Sequence, residues 1–280
     1  MNCVIVIVNA TWTRDISIPD LFSMIRQKLQ QPDSTLTIYK TLALAHHLLR
    51  SGAEERVMGY LCTVPGYFLR ALKSTSYVSV PAVAQAYAEY LDQKIASYHQ
   101  LKLDIVRSYS GSGKSARRDS YIPGISSSLG QDGRMKRLEL HQGLIPEFRV
   151  ILKQASFLVR CAFYDVPGIE SDGPALGCFA LCIEDLYPLF QALCEGIMNM
   201  LQKFFELNRE DAVNVVDVYK EFILMAEKII HMLKEARRLQ SRLGVPVPSV
   251  KHVFLFYYIL DGNIFEATLV LGWTIGRICQ

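Results

Sequence analysis

Two adjacent histidines, His46 and His47, stand inside an apolar run and are the first residues whose types suggest chemistry. Metal ligands on one helix need a spacing of three or four, because adjacent residues point about 100° apart. The pair therefore reads as one packed histidine and one partly exposed one. Cys178 and Cys182 are one helical turn apart, but no second Cys or His pair completes a zinc set, so they read as core. Three carboxylate pairs, Glu54-Glu55, Glu184-Asp185 and Glu210-Asp211, read as solvated faces or helix starts. No HExxH, GxSxG, dinucleotide-type glycine loop or Ser-His-Asp pattern accompanies them. The expectation is a protein without catalytic residues, metal or cofactor.

Two further motifs fall in a Ser/Gly-rich stretch. Gly111 to Ser115, "GSGKS", has the end of a phosphate-binding loop. The spacing demands a glycine at 108, where Ser108 stands, and a strand before it, where a long helical pattern runs instead. Arg117 to Ser120, "RRDS", suits a basophilic kinase, so Ser120 is a candidate phosphorylation site.

The elements around these residues are helical. Half of the 280 residues are hydrophobic, a fifth are charged and the net charge is +3. That balance allows a sizeable core and is too weakly basic to indicate nucleic acid. Seven scattered cysteines, mostly in apolar runs, indicate free thiols in a reducing compartment. Pro19-Asp20 starts a helix carrying Leu21, Ile25 and Leu29. A broad stripe of Leu36, Tyr39, Leu42, Leu44, His47 and Leu48 follows and ends at Gly52. A short helix covers Ala53 to Leu61. Pro81 opens a helix predicted to reach Tyr109. Beyond the Ser/Gly-rich stretch, helix is predicted from Arg134 to Tyr164 with a kink at Pro146. Another runs from Pro174 to Leu207 with a kink at Pro188, and a third from an Asn208 cap to Leu243. Alternation that would suit a strand is confined to the termini. The first 15 residues lack the basic region of a signal peptide. The apolar run after Val250 is broken by Asp261, Gly262, Asn263 and Glu266, which makes it a poor membrane span.

Three blocks carry a family resemblance: "KTLALAHHLLRSGAEERVMGYL", "YAEYLDQKIASYHQLKLDIVR" and "EGIMNMLQKFFELNREDAVNVVDVYKEF". Their order and spacing resemble an ANTH domain, the membrane-binding helical domain of clathrin assembly proteins. The resemblance implies an all-α fold, a right-handed, solenoid-like stack of long antiparallel helices. It implies binding to phosphatidylinositol 4,5-bisphosphate at a cytoplasmic membrane face, recruitment of clathrin at coated pits and vesicles or the Golgi, and, in some members, docking of a vesicle SNARE helix on the later helices. The implied domain covers 18–248 with a flexible loop at 110–133, between untypical segments 1–17 and 249–280.

The family's basic lipid motif is not found. Asn9 stands where its first lysine would fall, and "ISIPDLFSMIRQKL" resembles the family's third helix, so the first two helices are expected to be absent. The remaining basic residues near that end are Arg14, Arg26, Lys28 and Lys40, of which Arg26, Lys28 and Lys40 are the phosphoinositide candidates. Pro19 to Phe22 contains a DLF tripeptide whose apolar residues should be buried in the helix. The pattern stops after Val250, as expected of a truncated or mis-spliced product, and loss of two helices is expected to lower stability. The alternative reading is a helical protein-interaction module that has lost lipid binding.

Overall fold

The computed structural model describes residues 3–13, 16–75, 78–110, 133–140 and 143–247. Twelve α-helices and short 3-10 turns account for the described structure, with no strand among the described residues. The chain starts with α1 (Cys3–Ala10), α2 (Ile18–Gln30), α3 (Thr35–Ser51), α4 (Glu54–Cys62) and α5 (Tyr67–Lys73). Next come α6 (Ala82–Leu101), α7 (Ile105–Ser110), α8 (Arg134–Arg137) and α9 (Leu144–Leu158). Two 30-residue helices, α10 (Gly173–Gln202) and α11 (Arg209–Arg238), precede the short α12 (Gln240–Leu243). The all-α, solenoid-like expectation holds.

The layers follow from which faces are apolar. The stack is held by α6 against α9, and by α10 against α3, α7, α8, α9 and α11. Helix α10 is long and apolar enough to cross a membrane, but 78% of its most apolar window is buried inside the protein. It is the central core helix. Of the DLF tripeptide, Phe22 is fully buried, with Tyr60, Tyr67 and Phe68 ringed about it, whereas Leu21 is only partly buried.

Several element expectations are corrected. The N-terminal run that suited a strand is α1, lying on α3. Of its β-branched residues only Val8 is buried, with Val4 and Ile7 partly so, and the turn after it is stapled down: Thr11 Oγ1 accepts from Ala53 N–H at 2.8 Å, and Arg56 donates to the carbonyls of Thr11, Thr13 and Ile16. The helix expected from Pro81 to Tyr109 breaks after Leu101. Lys102 takes φ 54°, and Asp104 caps α7 by accepting from Val106 N–H at 2.9 Å. The helix expected from Arg134 to Tyr164 is two helices. Pro146 causes no kink because it lies in the first turn of α9, where its missing N–H has no intrahelical partner to lose. The helix expected to reach Leu207 stops at Gln202, before a 3-10 turn at Phe204–Glu206. The helix from the Asn208 cap pauses at Leu239 before α12. On α3 the buried stripe runs through Ile38, Leu42, Ala45 and Leu49, leaving Leu36 exposed, so the buried histidine is His46 and not His47.

Candidate functional site

The densest set of titratable groups lies where α3, α6, α7 and α10 meet. Asp185 of α10 is fully buried, which corrects its reading as part of a solvated pair. Its Oδ2 accepts from His46 Nε2–H at 2.8 Å, from Lys94 Nζ at 3.0 Å and from the Tyr90 hydroxyl, while Oδ1 lies 3.1 Å from Arg50. His46 Nδ1 lies 2.7 Å from the Tyr87 hydroxyl. With Nε2–H given to the carboxylate, Nδ1 accepts from that hydroxyl, so a neutral imidazole satisfies both contacts. Lys94, 1% exposed, is also 3.6 Å from Asp104, which lies 3.5 Å from Arg107. Arg107 in turn donates to the Leu49 carbonyl at 2.6 Å.

Burial lowers the pKa of His46 to about 4 against the pull of Asp185. Burial raises that of Asp185, but Lys94, His46 and Arg50 together hold it well below the carboxylate range. Burial, reinforced by Asp185, keeps the Tyr90 phenol protonated. The cluster is an ionised carboxylate held by two cations and neutral donors. It has the residue types of a proton-transfer site and none of the access. Its role is to fix how four helices meet.

The other residues picked out by sequence do not join it. Cys178 and Cys182 are buried, with burial pushing the Cys182 thiol well up, and no set of three or more His, Cys, Asp or Glu is placed to hold a metal ion among the described residues. Glu54 and Glu55 sit in the first turn of α4, and Glu210 and Asp211 in that of α11. Ser120, the GSGKS motif, the Ser/Gly-rich stretch, Arg14 and the apolar run after Val250 lie outside the described residues. Of the phosphoinositide candidates, Arg26 and Lys28 are exposed on α2 and Lys40 on α3. Arg26 lies over the Tyr67 ring at 5.8 Å, and Lys28 is 3.9 Å from Asp33.

The block "EGIMNM" has a physical account. Glu195 accepts from the Tyr109 hydroxyl at 2.7 Å, which itself accepts from Met135 N–H at 3.1 Å. Asn199 donates to the carbonyls of Met135 and Leu138 at 2.9 and 2.8 Å. A Cβ on Gly196 would come within 2.7 Å of the Phe148 ring. These three residues seat α7, α8 and α9 on α10. Asn208 then caps α11, accepting from Asp211 N–H at 3.0 Å. The inner face of α11 packs through Phe222, stacked on Phe190 at 6.3 Å. Its outer face leaves Val213 and Leu224 more than half exposed, about three turns apart on one stripe.

Residues 3–253 match the family model described as "ANTH domain". The chain is 26% identical over 247 residues to an ENTH domain-containing protein of Schizosaccharomyces pombe, covering 88% of this chain and 34% of that protein. It is 27% identical over 222 residues to clathrin coat assembly protein AP180B of Saccharomyces cerevisiae, covering 77% and 34%. With the phosphatidylinositol-binding clathrin assembly protein LAP of Drosophila melanogaster the identity is 25% over 245 residues, covering 82% and 47%. The chain thus spans between a third and a half of the length of these relatives. With a match over nearly its whole length and the stack of helices that its motif residues hold together, the chain belongs to the ANTH domain family.

Proposed function

We propose that this protein is a non-enzymatic adaptor that joins clathrin assembly to an anionic membrane surface in endocytosis and vesicle traffic. The observation that carries the reading is the ANTH match over residues 3–253, supported by relatives named as clathrin assembly proteins. The proposed membrane contact uses Arg26, Lys28 and Lys40, exposed on two adjoining helices. Each such cation contributes about 1 kcal/mol near an anionic leaflet, so three give reversible docking. The outer stripe of α11, with Val213 and Leu224 exposed, suits the apolar face of an amphipathic SNARE helix. The proposed location is clathrin-coated pits and vesicles, with the Golgi as a second site.

A helical interaction module without lipid affinity is the second reading. It is favoured by the partners that Arg26 and Lys28 already have in Tyr67 and Asp33. Such exposed contacts are worth about 0.2–1 kcal/mol each, no more than the gain at an anionic leaflet, and the family match then favours the adaptor reading. Co-sedimentation with liposomes, with and without phosphatidylinositol 4,5-bisphosphate, separates the two. Lipid-dependent binding that weakens with salt supports the adaptor, and its absence leaves the module.

A further inference from the structure

At one end of the stack the first residues of α3 and α6 and the Asp172 cap of α10 surround an open groove of about 760 Å³. Its walls include Pro81, Val83, Ala86, Val166 and Pro167. Tyr39 also lines it, is 3% exposed, and its hydroxyl has no hydrogen-bond partner among the described residues. Burial and the nearby Asp172 push the pKa of that phenol up to about 12, so it remains a donor at neutral pH. Ser34 caps α3 and Asp172 caps α10, whereas Pro81 stands at the cap position of α6 and gives it no side-chain cap. The first N–H groups of α6, on Ala82 and Val83, have no intrahelical acceptor, and both residues line the groove.

Charge decides what fits. Arg160 borders this groove and a second hollow of about 490 Å³ that includes Glu89 and Asp92. Its guanidinium is held 2.7 Å from Glu89. The groove's own charged lining is Asp165, Asp172 and Arg160, and with that guanidinium already engaged by Glu89 the two aspartates leave the groove acidic on a chain of net +3. An anionic headgroup would meet Asp165 and Asp172, and a wholly apolar occupant would leave the Tyr39 hydroxyl and the α6 N–H groups unmatched.

We propose that this groove binds a short extended peptide segment of a partner protein, one carrying a Lys or Arg next to an aliphatic side chain. Peptide carbonyls accept from the Tyr39 hydroxyl and the α6 N–H groups, the cation pairs with the exposed Asp165, and the aliphatic side chain rests on Val83 and Val166. The groove and the proposed membrane cations are separate sets of residues, so this inference does not depend on lipid binding.

The test is an array of capped octapeptides on a Gly/Ser background, each holding one charged residue (Lys, Arg, Asp or Glu) beside one apolar residue (Ala, Val, Leu or Phe). The array is probed with the full chain, and selected peptides are titrated by fluorescence anisotropy. Lys/Arg peptides with Val or Leu should be selected. Asp165→Lys should weaken them at least roughly tenfold, Tyr39→Phe roughly three- to tenfold at an unchanged melting temperature, and the remote Asp217→Lys should leave binding unchanged. Selection of acidic peptides, selection of none above background, or full binding by Asp165→Lys would overturn the proposal.

Discussion

Asp185 shows how far a residue's meaning depends on one step of helical register. It follows Glu184, which is partly exposed and 2.7 Å from Arg50, and the 100° turn between them carries Asp185 into the core. Removing one member of a buried ion pair leaves the other uncompensated, so Asp185→Leu should cost about 3–5 kcal/mol in urea unfolding. Asp185→Leu combined with Lys94→Met should recover much of that loss, because both charges then leave together. A double variant no better than the single one would count against the ion-pair account. Between pH 6.5 and 4, His46 and Asp92 act with opposite sign. His46, lowered from 6.5 to about 4, contributes stability present above pH 6.5 and lost as pH falls through that window. Asp92 is raised by burial from 3.8 to about 6, against the Phe68 and Leu69 N–H groups it accepts from, so its contribution is greatest below 3.8 and lost as pH rises to about 6. Asp92→Asn should therefore steepen the loss of stability between pH 6 and 4, by up to about 3 kcal/mol across the window. Urea midpoints that run parallel to those of the parent protein would contradict this. None of the cluster was legible in the chain. His46, Lys94 and Asp185 are separated by dozens of residues, and nothing in their local patterns marks them as neighbours.

At the scale of elements, helices were legible and their ends less so. The Asn208 cap and the Pro81 start are as the sequence indicates, because caps act through adjacent residues. The break at Lys102 was hidden because a lysine, not a glycine, takes the left-handed position there, and the signal lay in Asp104, whose side chain caps the next helix. Pro146 was misjudged by position, since a proline in the first turn begins a helix and one deeper in it bends or breaks it. The block from Glu195 to Phe222 carried the family because its residues do specific jobs at the seam of α7, α8, α9 and α10. Gly196→Ala should destabilise the protein by about 1–3 kcal/mol, since the added methyl meets the Phe148 ring. A thermal melt unchanged by that substitution would remove close packing as the reason for the glycine. On the outer face of α11, Leu224→Asp should leave the melt unchanged and abolish capture of a synthetic vesicle SNARE helix. Capture equal to that of the parent protein, or none by the parent protein itself, would remove the outer face of α11 as a SNARE site.

For the whole molecule, three blocks of sequence were enough to imply the stack and its family, because they contain the residues that seat helix on helix. The proposed membrane contact has no comparable signal in the sequence. A basic surface is assembled from residues on different helices, and exposed lysines and arginines have no periodicity to reveal them. On α2, Met24 is 60% exposed and stands one helical turn from the exposed Lys28, so an apolar and a cationic side chain share that face. A mixed face of this kind favours an interfacial position on an anionic bilayer. The most direct test of the adaptor account is co-sedimentation of the full chain with neutral liposomes, with and without about 5% phosphatidylinositol 4,5-bisphosphate, at low and physiological salt. The account expects sedimentation that depends on the lipid, falls with salt, and drops by roughly tenfold or more when Arg26, Lys28 and Lys40 are all changed to Glu. Equal recovery with both liposome types, or unchanged binding by the triple variant, would contradict it.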